Sequence, residues 1–304
     1  MKELLNKKLS LRPNDVPYTS PGANTPGTLK FIAGDSEELY KSNLQIQNSD
    51  WHYRTKKVEY KLNSAGFRCP EFDTIDWQNA IVLHGCSQVF GVGIAEDETI
   101  TAQLQQLTKR PVINLGHIGA SVTYTLANNM LLENNFPKPF AVINHWSSIW
   151  RDTIFTSDRN KYVDGGKLMQ QKYAQLRLYK KIDISFSDVL EDVTAKAQMM
   201  HHLCKTLWRD TNYIETTWED NTAEELGCYL QECLDFARDV RQLPGTKNED
   251  VLVDEDVENI LRREGRASQI SSDVNEPVVK PTHIAHNGPK TAKALAEYYS
   301  DLLK

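Results

Sequence analysis

The sequence predicts a three-layer α/β/α fold built on a parallel sheet, and two observations carry that prediction. Short apolar runs recur at residues 80–85, 111–116 and 140–146, the first two closed by glycine, with stretches of helical character between them. Strand, helix, strand, helix, strand with short connections implies parallel pairing through right-handed crossovers. At 304 residues, 40% hydrophobic and 25% charged, the chain is long and apolar enough to bury such a core.

Residues 1 to about 75 read as an irregular N-terminal arm ahead of the main domain, 76–304. Pro13, Pro17, Pro21, Gly22, Pro26 and Gly27 interrupt any helix, and a polar stretch follows. Trp51, Tyr53, Val58, Tyr60 and Leu62 then mark an extended segment with partial alternation. An arm of this kind packs across a domain surface or reaches a partner, another copy of the chain included.

The first strand is Ala80–Gly85, an apolar run ending in glycine. Asp97–Leu107 has the acidic start that suits a helix N-terminus. A second buried strand at Pro111–Gly116, a helix from about Ser121 to Glu133 and a third strand at Phe140–Trp146 complete the pattern. From about 166 to 240 the chain reads mainly as helices around one more strand, Tyr213–Thr217. Leu190, Val193, Ala197, Met200, Cys204 and Leu207 form one apolar helical stripe there, and Cys228 and Cys233 fall on a further helix. Residues 245–281 turn from acidic to basic to serine-rich, the pattern of a surface insertion. A last amphipathic helix carries Ala292, Leu295, Ala296, Tyr299 and Leu302.

Composition excludes several classes of function. Lys and Arg number 35 against 41 Asp and Glu, a net charge of −6 that offers no basic face for nucleic acid. No apolar run approaches the roughly 20 residues of a membrane span. The first residues, MKELLNKKLSLRPND, lack the continuous apolar core of a secretory signal. Five cysteines, at 69, 86, 204, 228 and 233, are odd in number and unpaired in spacing, which argues against a disulfide framework or a structural zinc and for a reducing, cytoplasmic setting. The neighbours His201 and His202 point in different directions on a helix and make no metal site.

In a parallel sheet, ligands bind beyond the carboxyl ends of the strands. Segments 85–93, 116–121 and 145–151 therefore share one edge, and that edge is where chemistry is expected. Gly85-Cys86-Ser87 places a small hydroxyl directly after a buried strand, where backbone N–H groups can stabilise an anion and glycines permit close approach of a substrate. A plain turn with a helix cap uses the same residues. No Gly-Lys-Ser/Thr or G-x-G-x-x-G follows, so a phosphate-cradling loop is not formed. Gly116-His-Ile-Gly119 suits either an exposed backbone donor or a tight turn in close helix–strand contact. Serine needs a neighbouring base, and His283 and His286, just ahead of the last helix, are the candidates.

The combination Asn63-Ser-Ala-Gly-Phe-Arg68, then VLHGCSQVFGVGIAEDET, then VINLGHIGAS, with HNGPKTAKALA near the end, resembles the SGNH (GDSL-type) hydrolase superfamily. The resemblance is close over 63–130 and covers the middle of the chain only in outline. It implies a flavodoxin-like α/β/α domain and a serine ester hydrolase of the esterase or deacetylase type, acting on a small acyl ester of a carbohydrate or lipid without metal or organic cofactor. Ser87 matches the nucleophile, and its backbone N–H is one oxyanion donor. Gly119 matches the second donor. The third-block asparagine has only a loose counterpart in Asn144, with Ser147 and Arg151 as other polar groups on that loop. His286 matches the histidine, but His283 stands where an aspartate belongs. Asp235-Phe-Ala-Arg-Asp239 resembles the stretch that precedes the histidine in some relatives, so Asp239 would orient His286 across an insertion at 240–285; a Ser–His dyad is the other reading. Cys86 replaces the block-one aspartate, and its side chain should point away from that of Ser87. The departures also fit a degenerate fold kept as a binding or structural module, for example in a viral particle.

Overall fold

The computed structural model describes residues 27–31, 37–46, 49, 52–155, 162–165, 186–218, 222, 225–227, 229–230 and 289–304. Near the N-terminus, β1 (Gly27–Leu29) pairs antiparallel with β2 (Tyr60–Leu62), and α1 (Glu37–Ile46) lies between them in sequence. The central sheet contains β3 (Ile81–Gly85), β4 (Val112–Gly116), β5 (Ala141–Trp146), β8 (Asn212–Thr217) and β9 (Tyr229–Leu230). Its order is β4-β3-β5-β8-β9, and every neighbouring pair is parallel. After β5 the chain makes an antiparallel hairpin, β6 (Asp152–Phe155) with β7 (Tyr162–Gly165).

The helices are α2 (Ser87–Phe90), α3 (Ile100–Thr108), α4 (Val122–Asn135), α5 (Phe186–Leu207) and α6 (Pro289–Leu302). The chain steps from β3 outward to β4, then reverses past β3 to β5. Right-handed crossovers in opposite directions put α3 and α4 on opposite faces. On one face Ile81, Leu83, Val112, Ala141 and Ile143 pack against Ile100 and Leu104 of α3 and Ala292, Leu295, Ala296 and Tyr299 of α6. On the other, Val82, Ile113, Leu115 and Val142 meet Leu132 of α4, Trp208 just past α5, and Phe67, Phe72 and Trp77 from the N-terminal side. The three-layer α/β/α expectation therefore holds. Each fully buried Leu or Ile contributes about 1.5–3 kcal/mol.

Local chemistry sets the helix starts. Thr99 caps α3 by accepting from the Ala102 N–H, and Ser121 caps α4 by accepting from that of Tyr124. The acidic run Glu96–Glu98 forms a 3₁₀ turn ahead of α3 instead of opening it. Along α5, Val193, Ala197 and Cys204 are buried as their stripe predicts. Leu302 is exposed, because α6 ends there.

Other expectations need correction. The polar stretch of the arm contains α1, a helix that the sequence reading did not assign. Trp51–Leu62 is not one extended segment, since His52–Arg54 forms a 3₁₀ turn and only Tyr60–Leu62 is strand. The segment between Cys228 and Cys233, read as helix, contains β9, the short edge strand of the central sheet. Tyr53, Val58, Tyr60 and Leu62 are buried against Phe90 and Val92, so this part of the arm packs across the domain. The insertion at 245–281 lies outside the described residues. Among the described residues no helix is long and apolar enough to cross a membrane.

Candidate active site

The three central strands end level, with Gly85 of β3 beside Gly116 of β4 and His145 of β5. This edge lies at the point where strand order reverses, the place where open α/β sheets bind ligands. Cys86 continues in extended conformation and Ser87 opens the single turn of α2. The turn closes on Gly91, whose φ of 77° only glycine adopts readily and whose N–H donates to the Ser87 carbonyl. Ser87 is buried.

Two glycines let α2 sit down on the sheet. A Cβ on Gly116 would lie 2.4 Å from the Phe90 nitrogen and 2.7 Å from Val89 Cγ1, and one on Gly85 would lie 2.4 Å from Val89 Cγ2. The close approach these glycines permit is thus that of the protein's own α2, through the Val89 side chain at Gly85 and through the Val89–Phe90 segment at Gly116, not of a substrate. Asn114 fastens the contact, donating from Nδ2 to the Val89 carbonyl at 2.9 Å and accepting the Gly116 N–H at Oδ1. Because the atom facing Gly116 is backbone, Gly116→Ala is expected to cost about 3 kcal/mol and to displace Ser87. A thermal melt and fluorophosphonate labelling check this; an unchanged melt with full labelling would contradict it.

Gly119 is the opposite kind of glycine. His117 to Ala120 form a turn in which the Ala120 N–H donates to the His117 carbonyl, with Gly119 at φ 85° in its third position. A Cβ there would meet nothing within 4 Å, and the Gly119 N–H has no hydrogen-bond partner among the described residues. The His117 N–H donates to the Gly85 carbonyl at 2.9 Å, joining this turn to the strand that presents Ser87.

Asn144 lies inside β5 and not on the loop beyond it. Its Nδ2 donates to the Tyr213 hydroxyl at 2.8 Å and its Oδ1 accepts from Asn129 Nδ2 at 3.1 Å. The side chain belongs to a buried chain of polar groups beneath α4, a correction to its reading as a third oxyanion donor. Trp208 Nε1 donates to Asn129 Oδ1, the Tyr213 hydroxyl donates to Glu215 Oε1, and His201 Nε2 lies 2.6 Å from Glu215 Oε2. Lys205 Nζ reaches the same carboxylate at 3.1 Å. Burial pushes the Glu215 carboxyl up, but hydrogen bonds from His201 and Tyr213, with the His201 charge and Lys205, hold it below the usual carboxylate range. Sequence reading missed Glu215; a lone carboxylate in the run Tyr213-Ile-Glu-Thr-Thr217 was its signal.

On the opposite face His145 Nδ1 meets Thr216 Oγ1 at 2.8 Å and the Tyr299 hydroxyl at 3.3 Å. Burial lowers the His84, His117 and His145 pKa values to about 3. Cys86 is buried in a cluster with Ala120, Tyr124 and Trp218. Asp73 and Asp76 are exposed. His202 is exposed while its neighbour His201 faces Glu215, and no metal-binding cluster occurs among the described residues. His286, His283 and Asp239 lie outside the described residues; the nearest described position to His286 is Pro289, where α6 begins.

No family model matches the sequence, and no curated protein does. Among solved structures the chain is similar to an acetyl xylan esterase, Est2A, from the rumen bacterium Butyrivibrio proteoclasticus, at 10% identity and a TM-score of 0.37. That match covers 74% of this chain and 63% of the esterase. It is also similar to a member of the lipolytic protein G-D-S-L family from Veillonella parvula DSM 2008, at 11% identity and a TM-score of 0.34, covering 73% of this chain and 96% of that one. A third is AlinE4, an SGNH-hydrolase family esterase, at 14% identity and a TM-score of 0.30, covering 66% and 87%.

Proposed function

We propose that the protein is a serine ester hydrolase with Ser87 as nucleophile, acting on a small acyl ester of a carbohydrate or lipid. One observation carries the reading: a buried serine at the sheet's reversal point stands beside a turn at Gly119, whose N–H has no partner among the described residues and where an added Cβ would meet nothing within 4 Å. The motif resemblance supports the same assignment. In the proposed reaction His286 takes the Ser87 proton as the hydroxyl oxygen attacks the ester carbonyl. Asp239 accepts from the other ring nitrogen and stabilises the imidazolium. The N–H groups of Ser87 and Gly119 receive the oxyanion, each worth about 3 kcal/mol. The alcohol leaves with the proton from His286, and water then hydrolyses the acyl-enzyme by the same route.

The placement of Asn144 favours one competing reading, a binding or structural module that has lost full catalytic equipment. Reaction with 4-nitrophenyl acetate and a fluorophosphonate separates the two. The wild type should label stoichiometrically, and Ser87→Ala should lose labelling and at least about a thousandfold of the esterase rate. Labelling that survives in Ser87→Ala sinks the serine assignment; a folded wild type that never labels favours the binding module.

A further inference from the structure

Beside the Ser87 edge, the loop after β5 brings Arg151 against Trp218 at the end of β8, and three hydrogen-bond donors on these two loops have no acceptor among the described residues. Arg151 lies with its guanidinium carbon 5.3 Å from the centre of the Trp218 ring. Among the described residues its Nη1 is buried without a partner and it makes no ion pair. Trp218 Nε1 is likewise buried without a partner among the described residues, and so is the Ser147 hydroxyl, four residues before Arg151. The two loops are tied to each other, since Thr222 Oγ1 accepts the Ile149 N–H at 3.1 Å. Trp218 packs with Cys86 and Ala120, the residues adjoining Ser87 and Gly119 in sequence.

Buried polar groups are rarely left unpaired, and those that are commonly mark a place a ligand fills. This set is all N–H and O–H, with one fixed positive charge held over an aromatic face. A planar guanidinium with an open edge matches an oxyanion. We propose that Arg151, with Trp218 and Ser147, binds an anionic group of the substrate, so that the ester cleaved at Ser87 carries a carboxylate or sulfate. This inference rests on the Ser87 reading for its chemistry but not for its binding site. Arg151 acts here as a specificity-determining residue, and the charge it meets sits on either the acyl or the alcohol side of the ester.

Four esters test it: phenyl acetate, 4-acetoxybenzoate, 4-acetoxyphenyl sulfate and phenyl hydrogen succinate. Each kcat/KM is divided by the hydroxide-catalysed rate of the same ester to remove intrinsic reactivity. The wild type should prefer at least one anionic ester over phenyl acetate by tenfold or more, and the preferred ester tells carboxylate from sulfate and acyl from alcohol side. Arg151→Met should bring that ratio near one, while Arg151→Lys should keep part of it. No preference in the wild type, or the same preference in Arg151→Met, overturns the proposal. If the wild type hydrolyses none of the four, the Ser87 reading fails on its own. The anion site is then decided by calorimetric titration of benzoate and phenyl sulfate. Weakening by tenfold or more in Arg151→Met sustains it, and equal affinity in both proteins, or none in the wild type, overturns it.

Discussion

Replacing Arg68 with methionine is expected to lower stability by about 4 kcal/mol and, for a 304-residue chain, the melting temperature by on the order of 6 °C. The Arg68 side chain is fully buried and every nitrogen is used. Nε donates to Glu96 Oε2 at 2.7 Å, Nη1 to the carbonyls of Phe90 and Gly91, and Nη2 to those of Glu59 and Ile94. Its guanidinium also lies 5.0 Å from the centre of the Tyr60 ring. Methionine fills much of the volume but leaves four backbone carbonyls without this donor, and burying unsatisfied polar groups is among the few routes to a large single-residue loss. Lysine should not rescue it, since a single ammonium cannot reproduce the fork.

The same substitution should also reach the site. Phe90 ends α2 and Gly91 closes it, so freeing their carbonyls loosens the turn that presents Ser87. The expected result is slower fluorophosphonate labelling at a temperature where the variant is still folded. A variant that melts within 1 °C or so of the wild type and labels at the same rate would contradict this account of Arg68.

Stability should fall steeply with acid, beginning near pH 6.5. His84, His117 and His145 are held neutral by burial, with pKa values lowered to about 3 from an ordinary 6.5. Between those values the unfolded chain binds up to three protons that the folded chain refuses. Their contribution is therefore complete above pH 6.5 and is lost as pH falls from there toward 3. Well inside that window the slope approaches roughly 4 kcal/mol per pH unit, about 1.4 for each histidine. Glu215, held below its usual carboxylate range, adds a loss of the same sign only at lower pH, as its folded form takes up a proton. Denaturant unfolding at several values between pH 7.5 and 5 measures the slope.

His84 supplies the control. Both its ring nitrogens are buried with no partner among the described residues. His84→Leu should cut the acid slope by about a third while leaving stability at pH 7.5 equal or higher, because an unpaired polar group leaves the core. A flat profile from pH 6.5 to 5, or an unchanged slope in His84→Leu, would refute the account.

What the sequence made legible follows from how each element is encoded. The central strands β3, β4 and β5 are continuous apolar runs, and Ser121 announces its helix through a local cap. Strand ends then place Ser87 and Gly119 on one edge with no further information. By contrast, β9 is two residues long, below any usable period. The role of Asn144 was hidden for a different reason. Its partner Tyr213 is 69 residues away, and no local pattern distinguishes an asparagine at a strand end from one locked into a core network. The glycines divided similarly, since only the packing of Val89 and Phe90 tells crowded Gly116 from open Gly119.

Tyr53 and Arg68 both reach past the strand pair β1–β2 to the segment after α2, Tyr53 through its hydroxyl on the Gly93 carbonyl at 2.7 Å. The Tyr60 hydroxyl in turn accepts the Gly93 N–H at 2.8 Å. The leading part of the chain thus works as a splint, holding from outside a ribbon that the sheet alone grips on one side. Excising it would strand the aromatic ring of Phe90 in water and leave the nucleophile's own hinge unbraced.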